Sequence, residues 1–215
     1  MPIDSAAFGE AFCSGPELAS RRLVLLHGWG ADADDLLELG ELLVGPDVQV
    51  VALRAPLSHP AGMGRQWYDL QQPGWPQLPQ ARADLLGRLQ ALERSLPLSS
   101  TVLLGFSQGA AMALDVACGG GSSLAPLPLA GVIACSGYPH PDWQSGALQP
   151  QSQDLNVLLT HGVQDPVVPH GASLELERLL KLGGARVELH SFSGGHTIDP
   201  DLFGPMRSFL VRCWS

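Results

Sequence analysis

Short apolar runs alternate along the chain with longer segments in which apolar residues recur at helical spacing. Each run is rich in leucine or β-branched residues and ends at glycine, proline or a polar residue, which is typical of strands buried on both faces of a parallel sheet. The runs are residues 22–26, 48–53, 101–106, 131–134 and 156–160, with a sixth at 186–192. The intervening segments predict helices over residues 34–44, 80–96, 107–118, 171–182 and 201–213.

This alternation predicts an α/β fold with a mostly parallel sheet and helices on both of its faces, because strand and helix in turn build right-handed βαβ units. The length of 215 residues fits a single domain over residues 1–215. In open sheets of this kind, ligands bind beyond the carboxyl ends of the strands. Functional residues are therefore expected directly after the strands.

Composition and charge exclude several classes of partner. The formal net charge of -9, spread without a long acidic run, disfavours binding to nucleic acid or to anionic lipid surfaces. No apolar stretch is long enough to span a bilayer, and the first residues lack the basic start of a secretory signal, so a soluble, cytoplasmic protein is expected. The four cysteines are too few for a disulfide scaffold and lack metal-site spacing, so no metal site is predicted.

The segment from Gly105 to Gly109 matches the nucleophile elbow G-x-S-x-G, in which a serine occupies a tight turn between a strand and a helix. With 25 glycines in the chain, a bare match arises readily by chance, so its context decides. A buried strand precedes Ser107, and a helix beginning with small residues follows it, which places the serine at the positive end of a helix. Ser107 is the candidate nucleophile, and a serine that only caps the helix is the alternative.

A serine hydroxyl needs a histidine to take its proton and a carboxylate to orient that histidine. In folds that carry this elbow, both follow the serine along the chain, the acid first. His196 follows two glycines after the last strand, so a loop can carry its ring toward Ser107, whereas His140 lies in a proline-rich loop and His190 inside a strand. His196 is the candidate base, and a structural histidine is the alternative.

Asp165 lies just beyond the fifth predicted strand and is the candidate acid. Its rivals fit less well, because Asp142 and Asp154 lie in the preceding loop, and Asp199 and Asp201 are typical of turn or capping groups for the last helix. For Asp165 itself, the alternative is a turn former.

Hydrolysis also needs N–H donors aimed at the developing oxyanion, usually the one after the nucleophile and one from an earlier loop. Here the first donor is Gln108. The second belongs to the glycine-rich loop of residues 27–30, where Trp29 is the candidate. His27 is expected to anchor that loop by hydrogen bonds, and a role as base is the alternative.

The long loop after the second predicted strand carries four residues that would wall an apolar acyl site: Met63, Trp67, Tyr68 and Trp75. For most of them individually, packing the loop down is the alternative. About twenty residues separate the strands at 131–134 and 156–160, too few for a large helical cap over the site. An open, shallow site is expected, which suits short or medium acyl chains.

Several segments together resemble the phospholipase/carboxylesterase family of small α/β-hydrolases, which includes bacterial carboxylesterases and the acyl-protein thioesterases. They are residues 25–32 (LLHGWGAD), 54–56 (RAP), 67–69 (WYD), 105–109 (GFSQG), 136–138 (SGY), 161–162 (HG) with Asp165 and the pair Val168 and Pro169, and 194–196 (GGH). The resemblance covers most of the chain.

The resemblance implies an α/β-hydrolase fold without a large cap domain, a Ser-Asp-His triad, no cofactor and often a homodimer. The triad would be Ser107, Asp165 and His196, and the oxyanion donors would be the N–H groups of Trp29 and Gln108. The family commonly carries leucine where this chain has Trp29, which implies a narrower acyl pocket. The N-terminal region is also short for a full opening hairpin.

The predicted function is that of a serine hydrolase that cleaves carboxylic ester or thioester bonds of short to medium acyl chains through an acyl-enzyme intermediate. Its expected partner is a small-molecule ester or acyl substrate. One alternative is a non-catalytic binding protein of the same fold, since fold alone does not imply function. Within enzymes, the alternatives are a lysophospholipase, an acyl-protein thioesterase or a peptidase.

Overall fold

The computed structural model describes residues 10–119, 125–144 and 154–215, so the parts of the predicted domain at 1–9, 120–124 and 145–153 lie outside the described residues. The strands are β1 (Ala11–Ser14), β2 (Arg22–Leu26), β3 (Gln49–Leu53), β4 (Leu57–Ser58), β5 (Arg65–Gln66), β6 (Thr101–Phe106), β7 (Gly131–Cys135), β8 (Asn156–Gly162) and β9 (Arg186–Phe192). Seven of them form one sheet in the order β1-β3-β2-β6-β7-β8-β9, and β4 pairs with β5. The large sheet is parallel except for β1, which runs antiparallel to β3.

Helices cover both faces of this sheet. They are α1 (Leu37–Leu43), α2 (Leu78–Glu93), α3 (Gln108–Cys118), α4 (Gly171–Leu182) and α5 (Phe203–Cys213). Side chains of α2, α3 and α4 share one buried cluster with Val24 and Leu26 of β2, whereas α1 and α5 share the other with Leu23 and Leu25. Successive residues of a strand point to opposite faces, so each central strand contributes to both cores. Among the described helices, none has both the length and the apolar character that crossing a bilayer requires.

The predicted fold class is confirmed, and so are the six predicted strands, with ends that differ by one or two residues. β3 begins at Gln49, β7 extends to Cys135 and β8 extends to Gly162. The described residues between β7 and β8 hold one 3-10 turn, Pro141–Gln144, and no large cap.

Two of the predicted helices begin as 3-10 turns, which explains why their α-helical parts start late. Ala33–Leu36 precedes α1, and Pro200–Leu202 precedes α5. Asp32 caps the first turn: its carboxylate accepts from the N–H of Ala33 at 2.7 Å, and its own N–H donates to the Asp35 carboxylate at 2.5 Å. This reciprocal capping box satisfies donors that a helix start otherwise leaves unpaired.

The sequence patterns did not identify β1, β4 or β5. β1 pairs with β3 from Ala11 opposite Leu53 to Ser14 opposite Val50. Three of its four residues are apolar, but none of the four is buried, so pairing with β3 and not a longer buried run makes it a strand. β4 and β5 have two residues each, which is too short for periodicity to reveal.

A buried polar network fastens α3 to its neighbours. The Asp115 carboxylate of α3 accepts from Arg82 Nε at 2.6 Å and from the Trp143 indole N–H at 2.7 Å, and His140 Nδ1 lies 2.6 Å from its Oδ2. The same guanidinium donates to both Asp142 oxygens, at 2.7 and 2.9 Å. Partial burial raises the pKa of Asp142, but the hydrogen bonds from Arg82, together with its charge, favour the ionised form, and the pKa lies below its ordinary value. The network fixes the helix that begins at the candidate nucleophile.

Candidate active site

Ser107 stands at the turn between β6 and α3. Its backbone lies at φ 54° and ψ -116°, a region that non-glycine residues occupy at a cost of about 1–3 kcal/mol. The Ser107 N–H donates to the Cys135 carbonyl at 2.8 Å, and its carbonyl accepts from Ala110 at 3.0 Å and Ala111 at 3.1 Å. The strained turn is therefore held by β7 on one side and by the first turn of α3 on the other.

Two glycines allow this turn to pass close to its surroundings. A Cβ on Gly105 would lie 2.4 Å from the Gly109 carbonyl oxygen, and a Cβ on Gly109 would lie 2.0 Å from the Leu26 carbonyl oxygen. Both distances are shorter than van der Waals contact, so no larger residue fits without moving backbone. Close packing of the elbow thus explains why glycine occupies both ends of the G-x-S-x-G pattern.

The structure brings the candidate acid and base together. His196 Nδ1 lies 2.6 Å from Asp165 Oδ2, and Asp165 Oδ1 accepts from the N–H groups of Val167 at 2.8 Å and Val168 at 2.9 Å. An ionised carboxylate only accepts, so Nδ1 carries the hydrogen and Nε2 keeps its lone pair. The His196 ring packs on Phe106, the residue before Ser107, with 4.8 Å between ring centroids.

Asp165 is suited to remain charged. Burial raises its pKa, but the hydrogen bonds from His196, Val168 and Val167 together outweigh burial, and the pKa lies below its ordinary value. Its side chain has no exposed surface, while that of His196 is 17% exposed. The candidate base is thus accessible to a substrate, and the candidate acid is shielded from solvent.

His161 is a neighbour of this pair that the sequence analysis did not assign. Its Nε2 donates to the Val168 carbonyl at 2.9 Å and lies 3.2 Å from Asp165 Oδ2, while its Nδ1 lies 2.6 Å from the Ser173 hydroxyl. Burial lowers the pKa of His161 more than its acceptors raise it, so the ring is neutral near neutral pH. Its place at the end of strand β8, four residues before the predicted acid, is the signal that could have identified it.

The rival carboxylates lie elsewhere and have other partners. Asp142 binds an arginine of α2, and Asp154 binds an arginine of β9 at 2.6 Å. Asp199 caps the 3-10 turn Pro200–Leu202 by accepting from the N–H of Asp201 at 2.9 Å. Neither rival histidine approaches Asp165 among the contacts of the described residues.

The glycine-rich loop after β2 lies against the elbow. A Cβ on Gly28 would lie 3.5 Å from the Ser107 Cβ, so the loop passes close to the elbow. The loop is also paired with β5, because Gly30 donates to the Arg65 carbonyl at 2.9 Å and Arg65 donates to the Ala31 carbonyl at 2.8 Å. The hairpin β4–β5 therefore fixes the loop in front of the serine.

The two backbone N–H groups predicted to bind the oxyanion belong to Gln108 and Trp29. Gln108 is the first residue of α3, where N–H groups have no intrahelical partner. The N–H of Trp29 has no hydrogen-bond acceptor within the part of the chain that the structure describes. The side chain of Trp29 has a separate partner, because its indole N–H donates to Gln66 Oε1 at 2.7 Å.

His27 has the contacts of a loop anchor. Its Nδ1 donates to the Gly28 carbonyl at 2.8 Å, and its Nε2 accepts from the Ala55 N–H at 3.1 Å. Burial lowers the pKa of His27 more strongly than the Gly28 carbonyl raises it. Nδ1 therefore bonds within the loop, and Nε2 joins the loop to the residues that follow β3.

The Gln108 side chain connects the elbow to the loop that carries Met63, Trp67, Tyr68 and Trp75, here called the aromatic loop. Its Oε1 accepts from the Trp67 N–H at 3.0 Å, and its Nε2 donates to the Tyr68 carbonyl at 2.7 Å. Trp67 and Tyr68 are fully buried, so in this conformation neither offers surface to a ligand. Instead, the Trp67 indole donates to the His27 carbonyl at 3.0 Å and ties the loop to the residues before Gly28.

The remaining residues of the predicted acyl wall differ in exposure. Met63 is 82% exposed, whereas Trp75 is half-buried, with its ring 5.5 Å from that of Tyr68. The Tyr68 hydroxyl lies 2.6 Å from the Tyr138 hydroxyl and 2.7 Å from His140 Nε2. Burial raises the pKa of both tyrosines, so both stay protonated.

A cavity of about 390 Å³ opens beside His196, between α1 and α5. Most of its wall is apolar, and none of the four aromatic-loop residues contributes to it. The residues that matter for its chemistry are Gly28, Asp35, Leu39, Phe106, Ile198 and Phe203. The sequence patterns did not reveal this cavity, because its walls come from distant parts of the chain.

Comparison with known proteins identifies the family that this arrangement belongs to. The sequence model of the phospholipase/carboxylesterase family matches residues 10–214, which include the elbow, the glycine-rich loop and the Asp165–His196 pair. The chain belongs to the phospholipase/carboxylesterase family. That family is one of serine hydrolases, so the chain belongs to this class of enzymes.

Individual relatives agree with the family. The esterase YpfH of Escherichia coli is 30% identical over 194 residues, which are 84% of this chain and 78% of the relative. The acyl-protein thioesterases 1 of Yarrowia lipolytica and Neurospora crassa are 31% and 29% identical, over 54% and 56% of this chain. The match spans about half the length of these two relatives, 54% and 49%.

Solved structures of an esterase and a carboxylesterase have the same architecture. The crystal structure of esterase PE8 superimposes with a TM-score of 0.75 at 31% identity, covering 95% of this chain and 98% of that one. The Bacillus cereus carboxylesterase superimposes with a TM-score of 0.81 at 22% identity, covering 98% and 97%. The latter likeness concerns the fold alone.

Proposed function

We propose that the chain is a serine esterase that hydrolyses carboxylic esters, and by the same chemistry thioesters, with Ser107 as nucleophile, His196 as base and Asp165 as acid. The observation that carries the proposal is the 2.6 Å contact between His196 Nδ1 and Asp165 Oδ2 on a ring packed against the residue before Ser107. This contact leaves the Nε2 lone pair free to take a proton.

The reaction begins when Ser107 Oγ attacks the substrate carbonyl carbon and His196 Nε2 takes the hydroxyl proton. The carbonyl oxygen becomes an oxyanion that accepts hydrogen bonds from the N–H groups of Gln108 and Trp29. One such donor typically lowers the barrier by about 3–4 kcal/mol. The positive end of α3 adds to this stabilisation, because its first N–H groups point toward the same charge.

The tetrahedral intermediate then collapses to an acyl-enzyme. His196 gives its proton to the leaving alcohol or thiol, and the bond between the acyl carbon and that atom breaks. Water next attacks the acyl carbon with His196 again as base, and the free acid leaves. Asp165 stays ionised throughout and stabilises the imidazolium form of His196.

Short or medium acyl chains are the proposed substrates. No large cap covers the site in the part of the chain that the structure describes, so a long chain would lie in water for much of its length. Met63 and Trp75 are the residues of the aromatic loop with surface left for an acyl chain, and the proposed acyl wall rests on them. The esterase and thioesterase names of the relatives support both kinds of bond.

The test combines covalent labelling with turnover. A fluorophosphonate probe and p-nitrophenyl esters of rising acyl length are applied to the wild type, to Ser107→Ala and to Ser208→Ala, whose serine lies exposed on α5. We expect labelling and hydrolysis in the wild type and in Ser208→Ala, and neither above background in Ser107→Ala. Equal rates in the wild type and in Ser107→Ala would refute the assignment. An unlabelled wild type would instead favour a non-catalytic binding protein.

A further inference from the structure

The cavity between α1 and α5 has a position that restricts which part of a substrate can enter it. His196 forms one side of the cavity, together with Ile198 two residues later. Phe106 and Gly28 also line the cavity; Phe106 precedes Ser107 in the chain, and a Cβ on Gly28 would lie 3.5 Å from the Ser107 Cβ. A group bound in the cavity therefore lies next to the proposed base and next to the oxyanion loop.

The proposed reaction fixes where the three substituents of the tetrahedral carbon point. The oxyanion must face the N–H groups of Gln108 and Trp29. The leaving oxygen or sulfur must lie within hydrogen-bond reach of His196 Nε2, because that atom carries the proton taken from Ser107. The acyl chain takes the remaining direction, away from His196. A cavity bounded by His196 is thus on the leaving-group side.

We infer that this cavity binds the alcohol or thiol portion of the substrate, and that it selects compact, apolar leaving groups; the inference rests on the proposed esterase function. In acylation the bond from Ser107 Oγ to the acyl carbon forms and the bond from that carbon to the leaving atom breaks. The proton passes from Oγ through His196 Nε2 to the leaving atom. The free alcohol or thiol then departs from the cavity.

The lining gives the chemical class of the leaving group. Leu39 of α1, Phe203 of α5 and Ile198 present apolar surface, which favours a hydrocarbon group. The exposed Asp35 carboxylate stands at the edge, and the whole chain carries a net charge of -9, so an anionic leaving group is repelled. The volume of about 390 Å³ exceeds the roughly 150 Å³ of a cavity that holds benzene, so a ring with a short linker fits.

Two of the four residues of the predicted acyl wall offer no surface to a ligand. Trp67 and Tyr68 have no exposed surface. Selectivity for the leaving group is therefore expected to be sharper than selectivity for the acyl chain.

The experiment separates the two ends of the ester. One series keeps the acetyl group and varies a primary alcohol: methyl, butyl and cyclohexylmethyl acetate. The other keeps methanol and lengthens the acyl group from acetate to hexanoate. Each ester is measured as kcat/KM, which covers acylation and so includes the leaving group, for the wild type and for Leu39→Trp, which fills the cavity. Leu42→Trp is the matched control, because Leu42 is an exposed residue of α1 that does not line the cavity.

For the wild type we expect kcat/KM to rise along the alcohol series. For Leu39→Trp we expect a loss of about tenfold or more on cyclohexylmethyl acetate, little change on methyl acetate, and an unchanged ratio of hexanoate to acetate. Hydrolysis of the acetyl-enzyme, which no longer holds the alcohol, should keep its wild-type rate. Leu42→Trp should match the wild type throughout.

A second variant keeps the test decisive if Leu39→Trp does not fold. Leu39→Ala enlarges the cavity, and we expect it to raise the rate on cyclohexylmethyl acetate relative to butyl acetate. Loss of activity on methyl hexanoate instead of cyclohexylmethyl acetate in Leu39→Trp would overturn the inference and assign the cavity to the acyl chain. In that case fluorophosphonate labelling of Ser107 would persist, so the proposed function would stand. Absence of both labelling and hydrolysis in the wild type would overturn both.

Discussion

At the scale of single residues, Asp165 holds the candidate site together. One oxygen accepts from His196, and the other accepts from two backbone N–H groups in the turn that follows. His161 lies against the same carboxylate and also binds the carbonyl of Val168. The turn, the acid and the base are thus parts of one hydrogen-bonded unit, in which a change of one acceptor alters the tautomer of the base.

Replacing Asp165 by asparagine tests that unit. Asp165→Asn keeps an oxygen for the N–H groups of Val167 and Val168, but its amide N–H faces His196 Nδ1 and favours the wrong tautomer. We expect kcat to fall by about 10⁴-fold, as such a change does in other triads, with little change in melting temperature. Ester hydrolysis and thermal unfolding check the two parts. The control is Asp154→Asn, on an exposed ion pair with Arg186, and a fall of less than tenfold in Asp165→Asn would contradict the assigned role.

The side chain and the backbone N–H of Gln108 are expected to have different roles, the first in stability and the second in catalysis. Gln108→Ala keeps the backbone N–H proposed for the oxyanion, but leaves the Trp67 N–H and the Tyr68 carbonyl buried without this partner. We expect the free energy of unfolding in urea to fall by about 2–6 kcal/mol, since each of the two unpaired buried groups costs about 1–3 kcal/mol. Fluorophosphonate labelling of the folded variant should persist. The exposed Gln80→Ala on α2 is the control, and an equal loss there would refute the bridging role.

At the scale of elements, the parts of the site that lie at strand ends could be predicted from the sequence. The runs that became β6 and β8 are local patterns, and they placed Ser107 and Asp165 at one edge of the sheet. The Gln108 contact with Trp67 joins residues 41 apart, and the Arg82 contact with Asp142 joins residues 60 apart. No local period encodes such pairs, which is why the buried network and the cavity were not predicted.

The elbow itself gives a prediction for the junction of β6 and α3. Gly109→Ala would place a Cβ 2.0 Å from the Leu26 carbonyl oxygen, so the helix must move away from β2. We expect destabilisation of about 3 kcal/mol or more, or no soluble folded protein. Gly87→Ala is the matched control, because no atom lies within 4 Å of its Cβ position in α2. That change should stabilise the protein by about 0.5–1 kcal/mol in urea denaturation. Similar effects of the two substitutions would contradict the packing.

At the scale of the whole molecule, several titratable groups make the free energy of unfolding decrease as the pH falls. The pKa values of Asp165 and Asp142 lie below ordinary, despite burial, because their hydrogen-bond partners favour the charged form. Burial lowers the pKa of His27 and of His161. In each case the unfolded chain binds protons at a higher pH than the folded chain. Each contribution is complete above the ordinary pKa and is lost as the pH falls through the folded pKa.

We therefore expect the free energy of unfolding to decrease as the pH falls below about 6.5, where histidines titrate, and more steeply below about 4, where carboxylates do. Urea denaturation at pH 7, 5, 4 and 3 measures this. Asp142→Asn should differ most from the wild type at pH 7 and converge with it in acid. A difference that is constant over this range would contradict the ion pair as its source.

The homodimer and the cytoplasmic location stay predictions from the sequence.

The contact between α1 and α5 has a consequence for how the site comes into being. Arg207 of α5 donates to the Leu42 carbonyl of α1 at 2.7 Å from Nη2, across 165 residues of chain. A growing chain on the ribosome thus holds its serine, its oxyanion loop and one wall of the cavity well before it holds His196 and the opposite wall. Phe203 of α5 faces the same cavity as Leu39 of α1, so the cavity and the proposed base are complete only when the last part of the chain is in place.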